Sequence, residues 1–243
     1  MRRLISWSYT VVFLSSMARL LVIGGTGFVG EEICRLAVLA GHHVTAMARS
    51  KRVDFRQTWA EKVNWLAADV FQPESWRHAL LDVDAVIHTV GTIIENRKQG
   101  VVFQRINEES AVIAAKEAEQ AGVPAFVFIS AYGKPPLVNR EYFDAKKRAE
   151  EAIAQMNLRA IFLRPSLIYG KGRPITYLFV WPLFLLAPVL GRQIEVLHPT
   201  SVTEVASASL MAALDPSIKG MVGIVAIKRL AHTFYHQALK QHV

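Results

Sequence analysis

The sequence predicts an α/β protein built on a doubly wound parallel sheet. Apolar runs of five or six residues alternate with helical stretches of ten or more, the order that parallel crossovers require. The first run ends in Gly24-Gly25-Thr26-Gly27-Phe28-Val29-Gly30, a glycine turn between a strand and a helix. The chain has 243 residues, 52% of them apolar, enough for one such domain with a full core and short for two.

Arg19–Ile23 (RLLVI) reads as a buried first strand. A helix follows over Phe28–Leu39, with Val29, Ile33, Leu36, Ala37 and Ala40 on its apolar side and Gly41 as its stop. His43–Ala48 makes the second strand, residues 63–67 the third and 85–90 the fourth. Between the last two, residues 73–80 form a short helix with Pro73 in its first turn. A long helix spans 103–120 and closes at Gly122; residues 125–129 (AFVFI) are the fifth strand. A loop over 132–140, holding Pro135 and Pro136, leads to a charged and alanine-rich helix over 141–156 and a sixth strand over 159–163. Residues 19–243 are expected to form a single domain, with no internal repeat.

Composition narrows the function classes. The net charge is +8, but no stripe of Lys and Arg interleaved with aromatics points to nucleic acid. The single cysteine, Cys34, excludes an intramolecular disulfide and a zinc cluster, and its helical neighbours Ile33, Leu36 and Ala37 make it core packing. The mean hydropathy of +0.24 is high for a soluble enzyme, yet no charge-free run reaches the ~18–20 residues of a membrane span. Residues 1–18 (MRRLISWSYTVVFLSSMA) carry two arginines and several hydroxyls, and the first acid is Glu31. This resembles a mitochondrial targeting segment. A secretory signal, or a translation start at Met17, are the alternatives.

Gly24, Gly27 and Gly30 allow a tight turn and close backbone approach, and with Thr26, Phe28 and Val29 they bring the opening of the first helix to a pyrophosphate. A nicotinamide dinucleotide in a Rossmann domain is the expected ligand. After the second strand, where an acid would bind the ribose 2′-hydroxyl of NAD, stand Arg49-Ser50-Lys51-Arg52. Guanidinium and hydroxyl groups suit a 2′-phosphate, so NADPH is expected over NADH.

With these residues in place the chain resembles the extended and atypical branch of the short-chain dehydrogenase/reductase (SDR) superfamily, over roughly residues 19–227. The likeness rests on the glycine loop, Ala68-Asp69, His88-Thr89-Val90-Gly91, Asn107, Ser130, Tyr142-Phe143-Asp144-Ala145-Lys146, Leu163-Arg164-Pro165, Tyr169-Gly170 and Val202-Thr203-Glu204-Val205-Ala206, in that order. The resemblance implies that Asp69 contacts the adenine, that Thr89, Val90 and Gly91 line the ribose, and that Pro165 approaches the nicotinamide. Asn107 is expected to brace the loop after the fourth strand, and His88 to be a loop or pocket residue. Within the superfamily the chain looks nearest to a mitochondrial group: the SDR-like protein associated with coenzyme Q biosynthesis and the NADPH-binding accessory subunit of complex I. Sugar-nucleotide epimerases share the motifs but carry a longer C-terminal substrate domain.

Tyr142 and Lys146 stand four apart on a helix and so share a face. An ammonium there favours the phenolate, letting Tyr142 pass a proton while hydride moves at the nicotinamide. The resemblance gives the same roles to Tyr142 and Lys146 and makes Ser130 the holder of the substrate oxygen, although Ile129 stands where many members have a second hydroxyl. Residues 175–190 (ITYLFVWPLFLLAPVL) carry no charge, hold Pro182 and Pro188, and are flanked by Arg173 and Arg192. They read as the wall of an apolar pocket, an in-plane membrane attachment, or core or partner surface. The first two suit a prenylated quinone or its precursor. The expectation is a mitochondrial oxidoreductase at the matrix side of the inner membrane, in or supporting ubiquinone biosynthesis. The alternative is a non-catalytic, nucleotide-loaded subunit of a membrane complex.

Overall fold

Each expected strand appears in the computed structural model, which describes residues 17–50, 57–133, 139–172 and 199–240. They are β1 (Arg19–Ile23), β2 (His43–Ala48), β3 (Asn64–Ala67), β4 (Ala85–His88), β5 (Phe126–Ile129) and β6 (Ala160–Leu163). Two short strands, β7 (Ile168–Tyr169) and β8 (Thr200–Ser201), pair with each other, and β9 (Gly220–Val222) adds a seventh strand beside β6. The order of the large sheet is β3-β2-β1-β4-β5-β6-β9, and every pairing in it is parallel. The chain winds outward from β1 to β3, then returns to place β4 on β1's other side. That reversal opens a crevice at the carboxyl ends of β1 and β4, where open α/β sheets bind ligands.

Helices cover both faces, so the strands are apolar throughout rather than alternating with polar residues. The described helices are α1 (Phe28–Leu39), α2 (Ser110–Gln120), α3 (Arg140–Ala154), α4 (Val202–Leu214) and α5 (Ile224–Lys240). Leu20 and Val22 of β1 join Ile33, Val205, Leu210 and Ile227 on one face; Leu21 and Ile23 join Trp76, Ala115, Phe126 and Ile153 on the other. Cys34 is free and buried in the first of these cores, and burial pushes its thiol pKa far above the usual range.

Three expected elements differ in form. The short helix over 73–80 is two 3-10 turns, Pro73–Ser75 and Arg77–Leu80, broken where Trp76 turns fully inward and donates its Nε1–H to the Val70 carbonyl. The helix over 103–120 begins as a π-helix, Gln104–Glu109, before α2. The fourth strand ends at His88, because Thr89 turns its hydroxyl onto the Ile23 and Gly24 carbonyls. In α4, the Ser201 hydroxyl caps the Glu204 amide while the Glu204 carboxylate accepts the Ser201 N–H. Arg159 closes the other end, donating to the carbonyls of Ala212, Ala213, Asp215 and Ile218 at 2.6–3.1 Å. Among the described residues, no helix is long and apolar enough to cross a membrane. Residues 1–16, Lys51, Arg52, Pro135, Pro136 and the apolar segment 175–190 lie outside the described residues.

Candidate dinucleotide and catalytic site

The glycine loop leaves β1 with Gly24 at φ +90°, a left-handed backbone that glycine takes without a Cβ clash. The Gly24 and Gly25 amides both donate to the Met47 carbonyl, at 2.8 and 3.0 Å, fastening the loop to β2. A Cβ on Gly25 would stand 2.6 Å from that of Ala46, and one on Gly30 would run into the Gly24 carbonyl and the Thr89 hydroxyl. Gly27 differs: it is exposed, occupies the N-cap of α1, and puts no side chain over the first-turn amides. Amides of a first turn have no carbonyl one turn earlier, so this opening is polarised toward an anion. Thr26, Phe28 and Val29 complete the loop, half-buried around it. The residues present thus fit a dinucleotide: glycine where packing forbids a side chain, and an uncapped helix start facing the crevice.

The expected adenosine end lies at the carboxyl ends of β2 and β3. The Ala68 amide donates to the Ala48 carbonyl at 3.0 Å, bringing Asp69 beside Arg49. A cavity of about 220 Å³ opens there, its walls including Arg49, Asp69, Phe71, Val101, Arg105 and Ile106. Asp69 accepts the Phe71 N–H at 3.1 Å, and the Arg105 guanidinium lies 4.2 Å over the Phe71 ring. Ser50 is exposed nearby and does not line the cavity. Phe71 and Arg105 had no sequence signal of their own. A larger cavity, about 360 Å³, opens at the opposite end of the strands against Arg19, His43, Lys62 and His78; no predicted site residue lines it.

At the other end of the crevice, Lys146 of α3 is buried and donates from Nζ to the Ile129 carbonyl at 2.8 Å. Ser130, the next residue, is buried at the end of β5. A Cβ on Gly91 would lie 3.0 Å from Asn107 Oδ1 and 3.1 Å from Lys146 Nζ, so the loop after β4, the π-helix and α3 converge at one point. Asn107 braces that loop: its Oδ1 accepts the Thr92 N–H and its Nδ2 donates to the Thr92 carbonyl, each at 3.0 Å. Thr89 and Val90 lead from β4 into the loop; Val90 touches the glycine loop, 3.1 Å from where a Cβ on Gly24 would be. Tyr142 sits one turn before Lys146, half-buried and ringed by Phe103 and Phe143. The Pro165 carbonyl accepts the Tyr132 N–H at 2.9 Å, tying the loop after β6 to the one after β5.

Burial lowers the Lys146 pKa to about 7, against the opposing pull of the Glu150 carboxylate one turn on. Glu150 is itself buried and held by Arg164 in a two-pronged pair, Nε lying 2.9 Å from Oε1 and Nη2 bonding Oε2. His88 is a fully buried residue of β4, not a loop or pocket group as its sequence position suggested. Burial first, and the Lys146 charge second, bring its pKa to about 3, so its ring stays neutral. The Ser110 hydroxyl donates to the Ile106 carbonyl at 2.6 Å, so at 3.3 Å it accepts from His88 Nε2, which carries the ring proton. Sequence reasoning missed Glu150, Arg164 as its partner, and Ser110.

A model of the NAD(P)H-binding family matches residues 24–180, from the glycine loop to beyond β7. The chain belongs to this NAD(P)H-binding family. It is 32% identical to an uncharacterized chloroplastic protein of Arabidopsis thaliana, across 93% of this chain and 82% of that one. It is 27% identical to MIOREX complex component 2 of Saccharomyces cerevisiae (86% and 98%) and 28% identical to a ceramide reductase of Caulobacter vibrioides (88% and 66%). None of these three relatives is named for coenzyme Q synthesis or complex I. What is shown of the likeness to those two mitochondrial groups is the NAD(P)H-binding family.

Proposed function

We propose that this chain is an NADPH-dependent reductase of a carbonyl or quinone in an apolar, membrane-derived substrate. The observation that carries the reading is Lys146: a buried cation one helical turn from Tyr142, meeting Gly91 and Asn107 at the crevice. A dinucleotide held by the glycine loop, Gly24 to Gly30, would supply the hydride. Tyr142 gives its phenolic proton to the substrate oxygen, Ser130 holds that oxygen, and Lys146 steadies the phenolate that remains. The phenolate then takes a proton from solvent, and the net change is addition of hydride and a proton, across C=O in a ketone and onto the two oxygens in a quinone, which becomes the hydroquinone.

Exposed apolar side chains support an apolar substrate. Ile93 and Ile94 (52% and 72% exposed), Tyr132 and Leu167 all stand on loops after β4, β5 and β6, at the carboxyl edge of the sheet. The related ceramide reductase is named for a lipid substrate. The acid-free leader supports a mitochondrial setting, and the apolar segment 175–190 supports contact with the inner membrane. A prenylated quinone or its precursor, in or supporting ubiquinone synthesis, is the substrate we assign. The guanidinium of Arg49 at the adenosine cavity favours NADPH.

Oxidation of NADPH by the purified protein, with a prenylated quinone precursor or a long-chain ketone presented in vesicles, tests this reading. Tyr142→Phe is expected to cut turnover about a hundredfold or more while leaving NADPH affinity unchanged. Equal turnover by the variant would remove Tyr142 from the chemistry. Reduction of the ketone alone would remove the quinone. One observation favours a second reading, an accessory subunit of an assembly: the likeness to MIOREX complex component 2 spans 98% of that protein. On that reading a Tyr142→Phe strain grows normally and a strain defective in the glycine loop does not.

A further inference from the structure

We infer that Arg105 is a second residue selecting the 2′-phosphate of NADPH, facing the same cavity as Arg49; this rests on the reading that the cofactor is NADPH. Arg49 comes from the end of β2, as dinucleotide folds require. Arg105 comes from the π-helix that precedes α2, far away in sequence, and reaches the same cavity of about 220 Å³. The carboxylate on its wall, Asp69, already accepts the Phe71 amide. Among the described residues neither Arg49 nor Arg105 has a carboxylate partner, so two cations face a space with one carboxylate.

The backbone beneath Arg105 is held in place. Two residues on, Asn107 binds both polar groups of the Thr92 backbone, and Ser110 ties the Ile106 carbonyl toward His88. The Phe71 ring then holds the guanidinium by a cation–π contact, its Cζ lying 4.2 Å over the ring centre. A cation–π contact consumes none of the guanidinium's N–H donors, which can grip a phosphate through two parallel bonds. A lysine would bring charge without that paired grip. An NADH ribose offers a hydroxyl there, and leaves two cations facing one carboxylate.

The test is calorimetric titration of wild type, Arg105→Gln and Arg105→Lys with NADPH and NADH, and with the fragments 2′,5′-ADP and 5′-AMP. Arg105→Gln is expected to weaken NADPH and 2′,5′-ADP about tenfold and to change NADH and 5′-AMP by less than about twofold. Arg105→Lys is expected to recover part of the loss. Equal weakening of phosphorylated and unphosphorylated ligands would assign Arg105 to the adenine or to structure and overturn the inference. So would unchanged binding, while a wild-type preference for NADPH left intact the reading beneath it. If wild type binds NADPH no tighter than NADH, that reading falls and the inference with it. Thermal melting of each variant without ligand separates a folding defect from a binding one, and Arg105→Lys supplies the folded comparison if glutamine is not tolerated.

Discussion

Gly30→Ala is expected to weaken NADPH binding by more than about a hundredfold, the loss of two or more charge-assisted hydrogen bonds. Its backbone is not left-handed, so the effect comes from contact alone. The new methyl would meet the Gly24 carbonyl and lie 2.9 Å from Thr89 Oγ1, atoms held by hydrogen bonds to Gly27 and to the Ile23 and Gly24 carbonyls. Relief requires α1 to lift from the loop, which moves the amides away from the phosphates and costs about 1–3 kcal/mol of stability, as for other overpacked sites. Gly27→Ala serves as the contrast. Gly27 is exposed and its Cβ would meet only the Gly24 carbonyl, at 3.1 Å, so binding should suffer with stability changed by less than about 1 kcal/mol. Titration with NADPH and urea unfolding measure both. A Gly30→Ala protein that binds NADPH like wild type would mean the loop does not hold the phosphates.

Lys146→Met should cost about a thousandfold in turnover and yet stabilise the ligand-free protein at neutral and acid pH. In the fold the ammonium titrates near 7, against 10.5 in the open chain. Between those values the unfolded chain carries a proton that the folded one lacks, so stability rises with pH across that window. Below pH 7 both states are protonated and the burial cost is complete. Methionine removes the cost, so the gain should be a few kcal/mol at pH 6 and should fade toward pH 10. There the lost bond to the Ile129 carbonyl leaves the variant level with wild type or below it. Denaturant curves at several pH values check the sign. A Lys146→Met protein less stable than wild type at pH 6 would show that the buried ammonium is not a burden on the fold.

The first strand, helix and second strand were legible to the residue. Arg19–Ile23, Phe28–Leu39 and His43–Ala48 are strand, helix and strand as their patterns require, because Gly24 to Gly27 and Gly41 mark the breaks between them. The C-terminal part was not. α4 is buried at ten of its thirteen positions, from Val202 to Ala213, so it shows no apolar stripe against a polar face. The strand β9 is three residues long, and its Met221 is 68% exposed. The π-turn at 104–109 is set by Thr92, His88 and Ser110, contacts that local periodicity does not carry. The site follows the same division. Gly24, Gly30 and Lys146 announce themselves by spacing, whereas Phe71, Arg105 and the Glu150–Arg164 pair reach the crevice through tertiary packing.

Backbone amide NMR during titration with NADPH tests most directly whether the opening of α1 receives the cofactor's phosphates. The largest saturable shifts are expected at Thr26, Gly27, Phe28 and Val29, with smaller ones at Asp69 and from Thr89 to Gly91. Binding that shifts Arg19, His43 and Lys62, at the opposite end of the strands, while residues 24 to 30 stay still would contradict that placement.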